Sequence, residues 1–171
     1  MHNMNRQPDG VQLDCRGLSI SQDHMLDNIN RRILKALQDD ARISYAELGK
    51  LVHLSAPAVA ERIRKLERDG VITGYSISVD MDKLGLPIIA MVQCKVFRAM
   101  ERQFKELMLT IPDVIECYNT TGEQAFVIKM ATRSMARLDE ILEIFGDMCD
   151  TNTMMVLSTP VYRTLPDTFF D

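Results

Sequence analysis

The chain has 171 residues, 46% of them apolar and 26% charged, with a net charge of −4. That length fits one medium domain or two small ones, and the composition is that of an ordinary globular protein. The negative balance argues against a general nucleic-acid coat protein. No apolar run approaches the ~20 residues that cross a bilayer, and the polar N-terminus carries no signal peptide, so a cytoplasmic protein with no membrane partner is expected.

The charge is unevenly spread. Residues 27–70 hold nine basic and seven acidic side chains, whereas residues 88–171 hold eight basic and twelve acidic ones. A mildly basic segment joined to an acidic one suits a DNA-binding domain with a separate control domain. The core must be built from Leu, Ile, Val and Met, because there are twelve Met and no Trp. The four cysteines (Cys15, Cys94, Cys117 and Cys149) form no CxxC pair and have no histidine near the last three, a spacing that disfavours zinc. They read as buried free thiols, with a redox switch as the lesser alternative. No metal or cofactor is expected.

Residues 1–25 are rich in Asn, Gln, Asp, Gly and Ser and lack sustained periodicity, which predicts a flexible N-terminal arm in which 17–20 could pair as an edge strand. A helix-turn-helix domain is expected over 26–70. Its first helix starts at the N-cap Asp27, with Ile29, Ile33, Leu34 and Leu37 as an apolar stripe. The second starts at Ser44, where Ser44 and Glu47 form a capping box and Ile43 and Leu48 a hydrophobic staple. The third spans 55–69. It is capped by Ser55, carries Pro57 in its first turn and a Leu54–Val59 staple, and stops at Gly70. Only His53 and Leu54 join the second helix to the third, so the two must cross steeply.

Residues 71–81 alternate in the manner of a strand, and Gly85 and Pro87 close a linker over 71–87. From there the pattern reads strand 88–97, helix 100–110, strands 114–121 and 125–132 joined at Gly122, helix 134–148 and strand 153–162. The order βαββαβ is a ferredoxin-like sandwich over 88–163, followed by a C-terminal tail, 164–171. The fold class is therefore α+β, a winged-type helix-turn-helix followed by this sandwich. Two helices cover one sheet face; the other is apolar enough to be buried against a second copy of the chain.

On the third helix, Val59, Ile63 and Leu66 share one side and should anchor it. Pro57, Glu61, Arg64, Lys65 and Arg68 point the other way, with Ala58 at their edge. The candidate DNA-contact set is Ser44, Tyr45, Ser55, Ala56, Pro57, Ala58, Glu61, Arg62, Arg64 and Lys65. Small residues near the helix start let the backbone approach base edges, basic ones reach phosphates, and Glu61 can accept from cytosine N4. The plainer alternative is a solvated charged face with Glu61 and Lys65 as an i,i+4 pair.

The stretches ILKALQDDARISYAELGKLV and LSAPAVAERIRKLERDGVITGY closely resemble the leucine-responsive regulatory protein/AsnC family of prokaryotic transcription regulators, and the resemblance runs from about Leu26 to Tyr162. It implies a C-terminal amino-acid-binding domain that dimerises through its sheet. It also implies dimers assembled into octamers or similar rings, and an effector held near the loop between the second and third strands of that domain. The matching loop is NTTGEQAFVIKM, in which Gly122 stands at the family glycine and Ala125 where the family usually has an Asp. Glu123, on the same face as Ala125 in extended chain, is a candidate substitute. The implied effector site is Asn119, Thr120, Thr121, Gly122, Glu123 and Ala125, with hydroxyls from Thr151, Thr153 and Ser158 on the last strand.

The function expected is a sequence-specific, amino-acid-responsive regulator, nucleoid-associated. It would bind double-stranded DNA at pseudo-palindromic promoter sites as a homo-oligomer. Two alternatives stand beside it: an architectural DNA-binding protein without an effector, and an enzyme resembling the siroheme decarboxylases that share this plan. The enzyme has little support, because the only histidines are His2, His24 and His53, and none lies in the C-terminal half.

Overall fold

The computed structural model describes residues 26–170. They form two compact units: residues up to Gly74 together with those from Arg163 onward, and Tyr75–Tyr162. The predicted arm and its edge strand at 17–20 lie outside the described residues, as does Cys15.

The first unit is built on three helices: α1 (Asn28–Asp39), α2 (Tyr45–Val52) and α3 (Ala56–Arg68). Each begins where a polar side chain satisfies an otherwise orphaned amide. Asp27 accepts from the Asn30 N–H at 2.7 Å, and Ser55 accepts from Ala58. Ser44 and Glu47 form the full reciprocal box. Ile33, Leu34, Leu48, Val52, Val59, Ile63 and Leu66 make the core. α3 ends at Gly70, whose φ of 71° favours glycine and lets the amides of Val71 and Ile72 return to the Leu66 carbonyl.

The C-terminal segment belongs to this unit. Leu165, Phe169 and Phe170 pack against its core. The Leu165 N–H donates to Gln38 Oε1 at 2.6 Å, and Arg31 Nη1 donates to the Phe169 carbonyl at 3.2 Å. Arg31 and Lys35 lie over the Phe169 and Phe170 rings, 5.6 and 4.7 Å from the centroids. Residues 164–171 were expected only as a tail; 165–170 are instead a packed element with a short 3-10 turn, Asp167–Phe169.

The second unit has β1 (Ile88–Val96), α4 (Glu101–Met108), β2 (Val114–Asn119), β3 (Phe126–Thr132), α5 (Met135–Gly146) and β4 (Cys149–Met155). The sheet order is β2-β3-β1-β4 with every pair antiparallel, the ferredoxin-like arrangement expected. Ala90, Val92, Cys94, Phe126, Ile128 and Met130 pack under Phe104 and Met108 of α4 and Leu138, Ile141 and Phe145 of α5. Alternation sends Met91, Gln93 and Lys95 to the other face, where their β4 partners are Met154, Asn152 and Asp150.

Two predicted strands are corrected. Residues 73–80 have no regular secondary structure; the four paired strands all lie between Ile88 and Met155. An alternating pattern becomes a strand only when a neighbour takes its amides and carbonyls. The last strand is Cys149–Met155, not 153–162. Its partner β1 begins at Ile88, so after the Val156 amide bonds to the Ile89 carbonyl the chain has run past the strand it follows. Cys94 and Cys149 are buried as expected, but Cys117 is exposed on the edge strand β2.

Candidate nucleic-acid interface and effector site

The α2–α3 joint fixes the geometry of the first site. His53 caps α2 in the left-handed region (φ 58°), and the Leu54 amide returns to the Gly49 carbonyl. A Cβ on Gly49 would lie 2.5 Å from the Leu54 carbonyl oxygen, so the tight turn requires glycine there. The sequence reading did not single out Gly49; its signal is a glycine inside a helical pattern, one turn before the joint.

Beyond that joint, α3 presents its outer side. Glu61, Arg64 and Lys65 are exposed, and Ala56, Pro57 and Ala58 form the slim first turn. Tyr45 stands half-exposed at the start of α2. The hydroxyls of Ser44 and Ser55 are committed to capping: Ser44 Oγ also donates to Glu47 Oε2 at 2.6 Å. That Ser44 hydroxyl bond, then the Ser44 amide, holds the Glu47 carboxyl below its ordinary range. Glu61 pairs with Arg64 at 3.0 Å rather than with Lys65, the partner expected from i,i+4 spacing. Arg62 differs from its neighbours: its Nη1 donates to Asp27 Oδ2 at 2.6 Å and to Asn30 Oδ1 at 3.0 Å. Asp27, Asn30, Ala58, Glu61, Arg62 and Lys65 line one shallow concavity between the start of α1 and α3.

The second site is the β2–β3 loop. Gly122 has φ 113° with open space around its Cβ position, so backbone conformation and not crowding demands glycine. Thr120 closes the loop, its amide donating to the Ala125 carbonyl at 2.7 Å and its Oγ1 to the Gln124 carbonyl at 2.9 Å. Residues 121–124 bend, so Glu123 and Ala125 do not share the face that extended chain would give them.

The Glu123 carboxylate is paired with Lys95 of β1. The pair lowers the pKa of Glu123 and raises that of Lys95, chiefly through their hydrogen bond. Lys95 was missed by the sequence reading, since only strand register brings it near the loop. Asn119 ends β2. Thr151 and Thr153 stand opposite Cys94 and Val92, on the helix-covered side and not on that of Lys95. Ser158 lies beyond β4 altogether.

Among the described residues no group of three or more His, Cys, Asp or Glu side chains is placed to hold a metal, and no helix is long and apolar enough to cross a membrane. His53, the one described histidine, is the exposed cap of α2.

Residues 26–67 match the AsnC-type helix-turn-helix domain and residues 89–166 the Lrp/AsnC ligand binding domain. The transcriptional regulator LrpC of Bacillus subtilis is 34% identical over 133 residues, 78% of this chain and 92% of its own. Regulatory protein AsnC of Escherichia coli is 31% identical, over 84% of this chain and 98% of its own. The LrpC structure superposes with a TM-score of 0.74, covering 78% of this chain and 96% of its own. A feast or famine regulatory protein of M. tuberculosis, complexed with L-methionine, does so with a TM-score of 0.73 at 28% identity, covering 80% of this chain and 95% of its own. A DNA-reading helix pair and a ferredoxin-like ligand module thus occur together in a chain that spans almost the full length of these relatives, and the chain belongs to the Lrp/AsnC family of transcription regulators.

Proposed function

We propose that the protein binds pseudo-palindromic promoter DNA as a symmetric homo-oligomer and that an amino acid tunes that binding. The observation that carries the reading is the outer side of α3, where a small first turn precedes Glu61, Arg64 and Lys65, all exposed. Ala56, Pro57 and Ala58 bring the helix start to base edges, aided by Tyr45 and by the α2 and α3 starts that Ser44 and Ser55 cap. Glu61 accepts from a base, and Arg64 and Lys65 reach phosphates. Two such helices, related by the two-fold axis of a dimer, enter successive major grooves about 10–10.5 bp apart. The sheet face carrying Met91 and Met154 joins the copies, and dimers assemble further, to octamers or similar, on the nucleoid.

Mobility shifts across a salt series test the contact face. The Arg64→Ala/Lys65→Ala variant should bind more weakly, with the slope of log K against log salt smaller in magnitude by about 1.8. An unchanged slope refutes the assignment.

The effector reading rests on the Gly122 loop, where the α-ammonium of an amino acid such as L-methionine takes Glu123 from Lys95 and backbone amides beside Gly122 take its carboxylate. The pairing of Glu123 with Lys95, together with Ala125, favours a second reading, a DNA-binding protein without an effector. Thermal-shift screening with the twenty amino acids separates the two: one stabilising amino acid supports sensing, and a flat panel supports the architectural role.

A further inference from the structure

We propose that Arg62, an arginine on the recognition helix, is a positioning residue that sets α3 against the start of α1 through Asp27 and Asn30 and does not contact a DNA phosphate. The inference deepens the DNA-binding reading above and rests on it.

The geometry is that of a side chain already occupied. One guanidinium nitrogen serves both Asp27 Oδ2 at 2.6 Å and Asn30 Oδ1 at 3.0 Å. The side chain is 32% exposed, half the value for Arg64 at 65%. Asp27 is itself immobilised, because its second carboxylate oxygen caps α1 by accepting the Asn30 amide at 2.7 Å. A phosphate could take Arg62 only by displacing a charge-assisted bond to a carboxylate fixed from the other side.

The clamp has a mechanical role that packing alone does not fill. Ile33 and Leu34 of α1 share one apolar cluster with Val59, Ile63 and Leu66 of α3. Apolar contact sets the separation of two helices but is non-directional and leaves rotation about the helix axis weakly determined. Arg62 and Asp27 are 35 residues apart in the chain and tie the first turn of α1 to the side of α3 next to Ala58, Glu61 and Lys65. The roll of α3 decides which of these side chains faces a base edge. An ion pair this exposed contributes little to folding. Its loss is therefore read in DNA discrimination and leaves thermal stability nearly unchanged.

The two roles predict opposite signs for one substitution. Asp27→Asn keeps a good N-cap and removes a negative charge beside the DNA-facing helix. If Asp27 acts only through its charge, the variant binds all DNA more tightly. If it holds Arg62 in place, affinity for a cognate duplex falls while affinity for random DNA does not. The full-length protein is titrated against a duplex that the wild type selects from a random pool and against a random-sequence duplex, each over a salt series.

For Asp27→Asn we expect cognate affinity to fall about fivefold or more, the loss that one misread base pair produces, with random-duplex affinity unchanged or raised. For Arg62→Gln we expect the cognate salt slope to match the wild type, and Asp27→Ser, another capping residue, to behave as Asp27→Asn. Tighter binding of both duplexes by Asp27→Asn, or a slope reduced in magnitude by about 0.9 in Arg62→Gln, overturns the proposal. A wild-type protein that selects no duplex overturns the DNA-binding reading itself, and this proposal with it.

Discussion

The C-terminal segment makes a strong demand on the first unit, and Phe169→Ala/Phe170→Ala tests it. Both rings are partly buried against the core of α1–α3 and meet edge to face with centroids 5.1 Å apart. Truncating a fully buried Phe costs about 3–5 kcal/mol; with partial burial, about half of that applies to each ring. The aromatic pair adds about 0.5–1.5 kcal/mol and each exposed cation–π contact about 0.5–1 kcal/mol. These contributions overlap, since both rings serve in all of them, so the double variant should lose about 3–5 kcal/mol from the first unit. Native-state hydrogen exchange reads this locally. Amides of Ile33 and Leu34 in α1 should exchange at least about a hundredfold faster, while those of β1 and β3 keep wild-type protection. Equal protection of α1 in variant and wild type would refute the packing argument.

Gly49→Ala should destabilise the first unit by about 1–3 kcal/mol, because the backbone carbonyl of Leu54 at 2.5 Å cannot rotate away as a side chain would; urea unfolding followed by far-UV circular dichroism measures it. The same unit should weaken in acid. For Asp27, partial burial pushes the pKa up, but the Asn30 amide and the Arg62 guanidinium outweigh it and leave the group below its ordinary 3.8; Glu47 sits below its ordinary 4.5. A lowered carboxyl adds stability that is complete above its ordinary pKa and is lost as pH falls through the lowered one. The urea midpoint of the first unit should therefore drop between neutral pH and pH about 3. Asp27→Asn/Glu47→Gln should narrow that drop; a drop of full size in the variant would refute the assignment.

The helix-turn-helix was legible because its determinants are local. A cap, a box and a staple each lie within five residues, and the structure places α1, α2 and α3 within a residue of where those signals put them. The βαββαβ order was legible for the same reason: each element carries its own period, and the short links leave few ways to pair. The pattern failed where a second segment decides the outcome. Residues 73–80 have the alternation of a strand without a paired neighbour, and β4 stops where β1 runs out. The packed tail, the Lys95–Glu123 pair and the Arg62–Asp27 clamp join positions 138, 28 and 35 residues apart, respectively, and none leaves a mark on its own neighbourhood.

The same distinction separates the two functional sites. On α3 the site residues follow one another along one helix, so once the helix exists its outer face exists, whatever else the chain does. The effector loop has no such guarantee. Its hydroxyls were assigned by counting along a strand whose end and facing depend on β1. Register instead gave Thr151 and Thr153 to the helix-covered side, left Ser158 outside the strand and brought in Lys95. The Glu123 carboxylate that could receive an ammonium group is thus already serving one. A ligand must compete with a tethered lysine whose local concentration is high. The loop can therefore discriminate only through what a free amino acid adds to its ammonium: a carboxylate for the amides beside Gly122, and a side chain.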